Sequence, residues 1–284
     1  MRLLRAATLT TPDPHASAAR YAQWFGHRLV ETGTVSAALA AGWGAPAMAG
    51  RGYAVVQPPS GAEVYLRFVQ APAAPGYTPL RSFGWAAIEL CVADVLATHA
   101  RLRDSPFAII GPPKALDGAP SIWPMQVQGP DREIIFLTEI RADAPGARLP
   151  RAACPVDRLF IAVLACRELA VTRAWFEAKL GFTGGPDFTL AYTTLSRAFG
   201  LPAEHPHRIG VLGHDGDAFL QLDQYPAAAA PREVLAGELP PGVAMVSFAM
   251  PGLTGGPRHA GVIYGGANSA VWRTPEGALA EVIA

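Results

Sequence analysis

The sequence predicts a mixed α+β protein of two domains, in which a strand–helix–three-strand unit (βαβββ) occurs four times. The chain has 284 residues, enough for two domains of about 140 residues that each bury a core. A stretch of the first half recurs in the second half with its apolar, turn and small positions aligned. The same order of predicted elements occurs in each quarter of the chain, which is typical of a repeat architecture.

The internal repeat has an offset of 156 residues. Residues 42–47, GWGAPA, align with residues 198–203, AFGLPA. The register continues without a gap, so that residues 53–70 lie over residues 209–226. Identities are few, but the pattern agrees throughout, which indicates two copies of one structural unit.

Two amphipathic helices precede these stretches. The first covers Ser17–Phe25 and the second covers Leu169–Leu180. In the second helix, apolar residues such as Trp175 and Phe176 recur at roughly helical spacing, and Gly181 provides the stop.

A second kind of segment alternates with the first. Trp85–Val92 alternates as a strand, and Asp94 is placed to cap a helix that runs to about Arg103. Two further strands close this unit, and the last quarter repeats the order with its helix shortened to a Gly/Pro-rich loop. The strands are Ile122–Val127, Ile134–Leu137, Ala244–Met250, Ala270–Arg273 and Leu279–Ile283, and the loop is Pro251–Arg258.

The predicted unit boundaries lie near residues 75, 150 and 235. The Pro/Ala/Arg-rich run Ala142–Pro155 is the predicted interdomain linker. We therefore expect an N-terminal domain of residues 1–145 and a C-terminal domain of residues 153–284, each made of two units.

Composition excludes several classes of function. The formal charge is zero and the pI is about 7.1, without a basic stripe that would bind a phosphate backbone. The N-terminal run turns polar too soon for a signal-peptide core, and no apolar run is long enough to span a membrane. Three cysteines, Cys91, Cys154 and Cys166, form no CxxC pair and fit a reducing compartment. Together, these features predict a soluble, cytoplasmic protein. The chain is also rich in arginine and poor in lysine, which is typical of a GC-rich bacterial genome.

Two short motifs carry a resemblance to a known family. Residues 179–182 read KLGF and residues 274–282 read TPEGALAEV. They resemble the vLGF and DPDGNxIEL signatures of the vicinal oxygen chelate superfamily, which contains glyoxalases, bleomycin-resistance proteins and extradiol dioxygenases. The resemblance covers nearly the whole chain, and four units in tandem are similar to the extradiol dioxygenases. It implies two glyoxalase/extradiol-dioxygenase-like domains, in which the units pair into cup-shaped mixed sheets.

The resemblance also implies where a metal would bind. The family places one ligand in the first strand and one in the last strand of each unit. Only Glu281, and weakly Gln221, carry donor atoms at these positions, so we expect no metal and no cofactor. The first-strand positions are Ala6, Ala87, Ile161 and Met245, and the last-strand positions are Tyr65, Phe136, Gln221 and Glu281.

Strand parity predicts which side chains face the cups, because alternate residues of a strand share a face. Glu63, Tyr65 and Arg67 are expected to point into the first cup, and Glu89 is expected to join them. Two interpretations stay open for this set: a ligand site, or a structural hydrogen-bonded network that fills a vestigial cup.

The second cup is where we expect the chemistry. Glu281 is predicted to act as the base and Gln221 as its polar orienting partner in the same cup. Asp223 and Phe219 are predicted to bind the substrate. An apolar wall with no cation nearby desolvates a carboxylate, which favours acid–base work near neutrality. The alternative is that Glu281, near the end of the sequence, is solvated at the rim.

A few further residues complete the predicted substrate-binding set. His205 and His207, with His214 after the next strand, would contact substrate at the cup mouth, hold zinc or lie at the surface. Trp272 is either a stacking wall for the ligand or ordinary packing, and Tyr65 belongs to the same predicted set. The sequence contains no nucleotide-binding glycine motif and no GxSxG.

The leading interpretation is a small-molecule enzyme that acts on an aromatic or oxo-acid metabolite by lyase or isomerase chemistry. The runner-up is a non-catalytic binding protein similar to bleomycin-resistance proteins, and the third is a metal-dependent extradiol dioxygenase. The expected partner is a small molecule, with neither nucleic acid nor membrane, and a homodimer stays open.

Overall fold

The computed structural model describes residues 3–142, 148–252 and 256–284, and within these ranges it has sixteen strands, five α-helices and one 3-10 helix (Pro46–Met48). In chain order the elements are β1 (Leu4–Thr11), α1 (Pro14–Phe25), β2 (Arg28–Thr34), α2 (Ala37–Gly42), β3 (Gly52–Gln57), β4 (Tyr65–Gln70), β5 (Gly84–Val92), α3 (Val95–Leu102), β6 (Ala108–Gly111), β7 (Ile122–Gln128), β8 (Ile134–Ile140), β9 (Val156–Cys166), α4 (Leu169–Leu180), β10 (Thr183–Gly184), β11 (Phe188–Ala191), α5 (Thr193–Ala198), β12 (Pro206–His214), β13 (Asp217–Gln224), β14 (Val243–Ala249), β15 (Ser269–Arg273) and β16 (Leu279–Ile283).

The helices begin and end where local sequence signals place them. Helix α4 has the predicted bounds and ends at Gly181, whose φ of 64° is the left-handed conformation that glycine adopts at no steric cost. The Asp94 carboxylate accepts a bond from the Ala97 amide at 2.9 Å and so caps α3. Helix α1 begins earlier than predicted, at Pro14, because Asp13 caps it and a proline fits the first turn.

The internal repeat at an offset of 156 residues is visible in the elements. Helix α2 and helix α5 are separated by this offset at both ends. Between β14 and β15, where the helix was expected to be shortened to a Gly/Pro-rich loop, no helix is assigned among the described residues. Residues 253–255 of that loop and residues 143–147 of the predicted linker lie outside the described ranges.

The strands form a seven-stranded sheet with the order β15-β16-β14-β1-β4-β3-β2 and a nine-stranded sheet with the order β10-β12-β13-β9-β5-β8-β7-β6, in which β11 also pairs with β12. The predicted mixed α+β architecture of paired βαβββ units is confirmed. In the structure, the first cup is the concave face of the seven-stranded sheet and the second cup is that of the nine-stranded sheet, so these names no longer refer to the N-terminal and C-terminal halves of the chain.

The units pair differently from the expectation of one cup in each half of the chain. The first unit joins the fourth through antiparallel β1 and β14, and the second joins the third through antiparallel β5 and β9. Each cup therefore contains strands from both halves. The physical reason is that the edge strands of all four units offer similar backbone partners, and sequence parity carries no information on which edge joins which.

The faces opposite the cups meet in one core. Leu66 and Phe68 of β4, Ile88 of β5 and Phe248 of β14 belong to this cluster, together with the buried side of α4. Their alternate neighbours must therefore face the cups, as parity predicts. Within the described residues, no helix is long and apolar enough to cross a membrane.

Candidate functional site

The first cup is filled by a buried charge network. Arg67 of β4 and Glu281 of β16 are 2% and 0% exposed, and the Arg67 Nη2 and Glu281 Oε2 atoms lie 3.6 Å apart. The guanidinium lies over the Trp43 ring, with 4.5 Å between Cζ and the ring centroid. It donates to the Thr8 hydroxyl at 2.8 and 3.0 Å and to the Tyr264 hydroxyl at 2.8 Å.

Glu281 has neutral donors in addition to the guanidinium. Its Oε1 atom accepts from the Tyr264 hydroxyl at 2.9 Å and from the Trp43 indole at 3.2 Å. Its Oε2 atom accepts from the Ser247 hydroxyl at 2.5 Å. A buried carboxylate whose oxygens are engaged by three donors and an adjacent guanidinium has no oxygen free to face a ligand, so these contacts support a structural role.

The second cup contains an open cavity of about 310 Å³. The side chains of Glu89 from β5 and Gln221 from β13 lie in its wall. Aromatic and aliphatic side chains from both units surround them, chiefly Phe136, Tyr192 and Ile209. A mostly apolar cavity with a few polar groups is the usual form of a small-molecule site.

Segments from two different units, α5 of the third and β6 and β7 of the second, form the sides of this cavity. The Thr194 hydroxyl of α5 donates to the Gln126 side chain at 3.0 Å, and the Arg197 guanidinium donates to the Ile110 carbonyl at 2.9 Å. Phe188 of β11 lies at the cavity and is 46% exposed. The cavity therefore exists only because the second and third units pair.

Glu89 is the carboxylate that faces this cavity. It is 6% exposed and accepts a hydrogen bond from the Thr138 hydroxyl. The pKa of Glu89 is raised to about 7, chiefly because burial penalises the charged form; the Thr138 hydrogen bond opposes this shift and the nearby Asp223 charge adds a smaller increase. A carboxylic acid that titrates near neutrality can both take and give a proton in the cell.

Asp223 lies behind Gln221 on the same strand. It is 1% exposed, and its Oδ1 atom accepts from the Gln221 amide at 2.8 Å. Its Oδ2 atom is buried without a hydrogen-bond partner among the described residues. The pKa of Asp223 is raised to about 7, because burial penalises the charged form more than the Gln221 hydrogen bond stabilises it.

The predicted pairing of Glu281 with Gln221 is wrong. Glu281 lies in the seven-stranded sheet and Gln221 in the nine-stranded sheet. Parity placed each side chain correctly toward a cup, and Glu281 is buried, not solvated at the rim. The expectation that no cation lies near Glu281 is also wrong, because Arg67 is its neighbour.

The residues that were predicted to line the cup of the N-terminal half are likewise divided between the two observed cups. Tyr65 and Arg67 face the first cup, Glu63 lies at its edge with a 77% exposed side chain, and Glu89 belongs to the second cup. For Tyr65 and Arg67, the structural interpretation is the one the contacts support. Glu89 lies in the wall of the open cavity. Strand parity predicted which face of β5 carries its side chain, but not which cup that face lines.

The other predicted substrate-binding residues lie away from the cavity. Phe219 packs in the core between the sheets, 4.9 Å from the Phe182 ring, and Trp272 packs against the same core. His207 is buried with its Nε2 atom 2.8 Å from the Ser196 hydroxyl, and His205 stands 5.0 Å from it. None of these four is among the residues that line the cavity.

The strand positions that would hold a metal carry few donor atoms. In the first cup, Ala6 pairs with Tyr65 and with Ser247, so Ser247 occupies the position assigned to Met245. In the second cup, Val163 pairs with Ala87 and with Gln221. No group of three His, Cys, Asp or Glu side chains within the described ranges is placed to hold a metal ion. The side chains present do not fit the metal that the fold implies.

Comparisons with known proteins agree with this architecture. No protein-family model matches the chain, and no curated protein sequence matches it. Glyoxalase I from Zea mays is 15% identical, with a TM-score of 0.66 that covers 100% of this chain and 92% of that one. A candidate dioxygenase from Bacillus subtilis is 14% identical, with a TM-score of 0.60 over 99% of this chain and 84% of that one. The chain therefore has the fold of these glyoxalase and dioxygenase structures, as its motifs predict.

Proposed function

We propose that the second cup is the active site of a small-molecule enzyme that moves a proton with Glu89. One observation carries this proposal: a buried carboxylate with a pKa of about 7 lies in the wall of an open, largely apolar cavity. The reaction class is lyase or isomerase chemistry next to a carbonyl group, where removal of a carbon-bound proton is the difficult step.

The lining supports an aromatic substrate over an oxo-acid. Phe136, Tyr192 and Phe188 line the cavity with aromatic rings. Glu89 in the wall, with Asp223 buried behind Gln221, disfavours a further negative charge there. Gln221 lines the same wall and offers an amide that can orient a carbonyl oxygen. In this scheme Glu89 touches the reacting carbon and Gln221 positions it.

Hydrogen–deuterium exchange tests the proton transfer directly. The wild-type protein is incubated in D2O with 2-hydroxyacetophenone, and phenylpyruvate serves as the oxo-acid comparison. Proton NMR follows the loss of signal from the hydrogen atoms on the carbon beside the carbonyl group. We expect exchange above the buffer rate, and a loss of about a hundredfold in the Glu89→Gln variant with ligand affinity retained.

Glu63→Gln is the matched control, because it makes the same chemical change on an exposed glutamate. It should leave exchange unchanged. Exchange that survives in Glu89→Gln contradicts the assignment of the base. Binding of the aromatic probe without any exchange supports the other class of function, a binding protein similar to bleomycin-resistance proteins.

A further inference from the structure

The two cups differ in charge at equivalent positions of the repeat. Arg67 of β4 and Asp223 of β13 are separated by the repeat offset of 156 residues. In the first cup, the Arg67 guanidinium stands beside the Glu281 carboxylate and over the Trp43 ring. The first cup thus carries its own cation, covalently attached, against its buried carboxylate.

In the second cup, Asp223 occupies the position that Arg67 occupies in the first cup. Glu89 and Asp223 are both buried, and neither has an ion-pair partner within the described residues. Glu89 accepts from one hydroxyl, and the Asp223 Oδ2 atom has no hydrogen-bond partner in the described part of the chain. Buried carboxylates without a counter-charge are unfavourable, so a positive group from outside the chain would be stabilised here.

The basic residues that line the cavity, Lys114 and Arg197, are exposed, and the nearby His207 is not part of the lining. The Lys114 ammonium is 3.3 Å from Asp117, and its side chain is 70% exposed. Arg197 is exposed and donates to the Ile110 carbonyl. His207, on the neighbouring strand, is bonded to Ser196 away from the cavity. None of these three is bonded to Glu89 or Asp223.

The volume and lining of the cavity suit a small cation that carries an aromatic ring. The cavity measures about 310 Å³, and it is lined by Tyr192 and by Phe136, which pairs with Glu89 across β5 and β8. Aromatic faces and carboxylates both attract guanidinium-like and ammonium groups. The first cup shows the same combination around Arg67, with Trp43 and Tyr264 as its rings.

We propose that the ligand of the second cup carries a positive charge, as an aromatic amidine or amine, and that Glu89 and Asp223 are its counter-charges. This inference rests on the second cup being the ligand site of the proposed function. The two carboxylates allow a division of roles, because Asp223 can balance the charge of the ligand while Glu89 takes the proton.

Three ligands of nearly equal shape test the charge of the site: benzamidine is cationic, benzamide is neutral and benzoate is anionic. Affinities are measured by calorimetry on the full-length protein at about pH 8 and low salt. We expect benzamidine to bind at least about tenfold more tightly than benzamide, and benzoate to bind most weakly. Asp223→Asn and Glu89→Gln should each reduce the ratio of benzamidine to benzamide affinity, and Glu63→Gln should not.

The outcomes separate this inference from the proton transfer. Equal affinities for benzamidine and benzamide, preference for benzoate, or no binding of any probe would overturn the cationic ligand. If the preference is absent while Glu89→Gln still abolishes exchange, only the charge inference fails. If the preference holds and no exchange occurs, the ligand class stands and the proposed reaction falls. Far-UV circular dichroism confirms that each variant is folded.

Discussion

Arg67 and Glu281 are a buried ion pair, and each depends on the other for its charge balance. Replacing Arg67 by alanine leaves the Glu281 carboxylate buried beside neutral donors only. We expect the free energy of unfolding to fall by about 3–5 kcal/mol, as for other buried pairs that lose one partner. Denaturation with urea, followed by tryptophan fluorescence, measures the change.

A control and a double variant sharpen this test. Lys114→Ala removes an exposed ion pair and should have almost no effect on the free energy of unfolding. Arg67→Met combined with Glu281→Leu removes both charges and should recover much of the lost stability. If Arg67→Ala alone is as stable as wild type, the pair is not a stabilising element of the first cup.

Glu89 should make stability depend on pH. Its pKa is about 7 in the folded protein and near 4.5 when exposed, so the folded state binds more protons between these values. The contribution of Glu89 to stability therefore falls as pH rises from about 4.5 to 7 and is lowest above pH 7. The Glu89→Gln variant lacks this loss. Relative to wild type, its free energy of unfolding should therefore rise by up to about 3 kcal/mol as the pH is raised from 5 to 8.

Urea denaturation of both proteins at the two pH values measures this difference. Glu63→Gln again serves as the matched control, since an exposed glutamate should give the same difference from wild type at both values. An equal stability difference for Glu89→Gln at pH 5 and pH 8 would count against a buried, uncompensated carboxylate in the second cup.

Helix α4 depends on one glycine at its end. Gly181 has a φ of 64°, and its amide bonds to the Glu177 carbonyl to close the last turn. Gly181→Ala should therefore lower the free energy of unfolding by about 1 kcal/mol, because a side chain is strained in this conformation. Thermal melts followed by circular dichroism measure the loss.

Gly185, a few residues later, is the matched control. Its φ is not positive, and a Cβ atom built there meets nothing within 4 Å. Gly185→Ala should be neutral or slightly stabilising through the unfolded state. Equal losses at both glycines would show that helix α4 does not need the left-handed residue.

At the scale of elements, the sequence predicted what depends on near neighbours. The bounds of α4 and β16, the caps at Asp94 and Gly181, and the cupward direction of Glu89 agree with the structure. Caps, turns and strand parity involve residues a few positions apart, and their signals are therefore local.

Both sheets depend on strand pairings between the two halves of the chain. Strand β14 completes the sheet of β1, and β9 completes the sheet of β5. If the chain is cut between residues 142 and 148, each fragment keeps only part of both sheets. We expect either fragment alone to lack cooperative unfolding, and an equimolar mixture to regain it together with ligand binding.

Near-ultraviolet circular dichroism and thermal melts of the two fragments, alone and mixed, test this expectation. The intact chain at the same concentration is the reference. If the N-terminal fragment melted cooperatively by itself, the two cups would not need strands from both halves.

The sequence by itself determined the four units, their order, the internal repeat and the face of each strand that bears Glu89, Gln221 and Glu281. These follow from periodicity and turn chemistry, which operate over a few residues. Only the tertiary structure decided that Glu281 meets Arg67 while Glu89 lies with Gln221 and Asp223. The physical reason is that equivalent strand edges compete for the same partners, and the choice among them depends on packing of the complete chain.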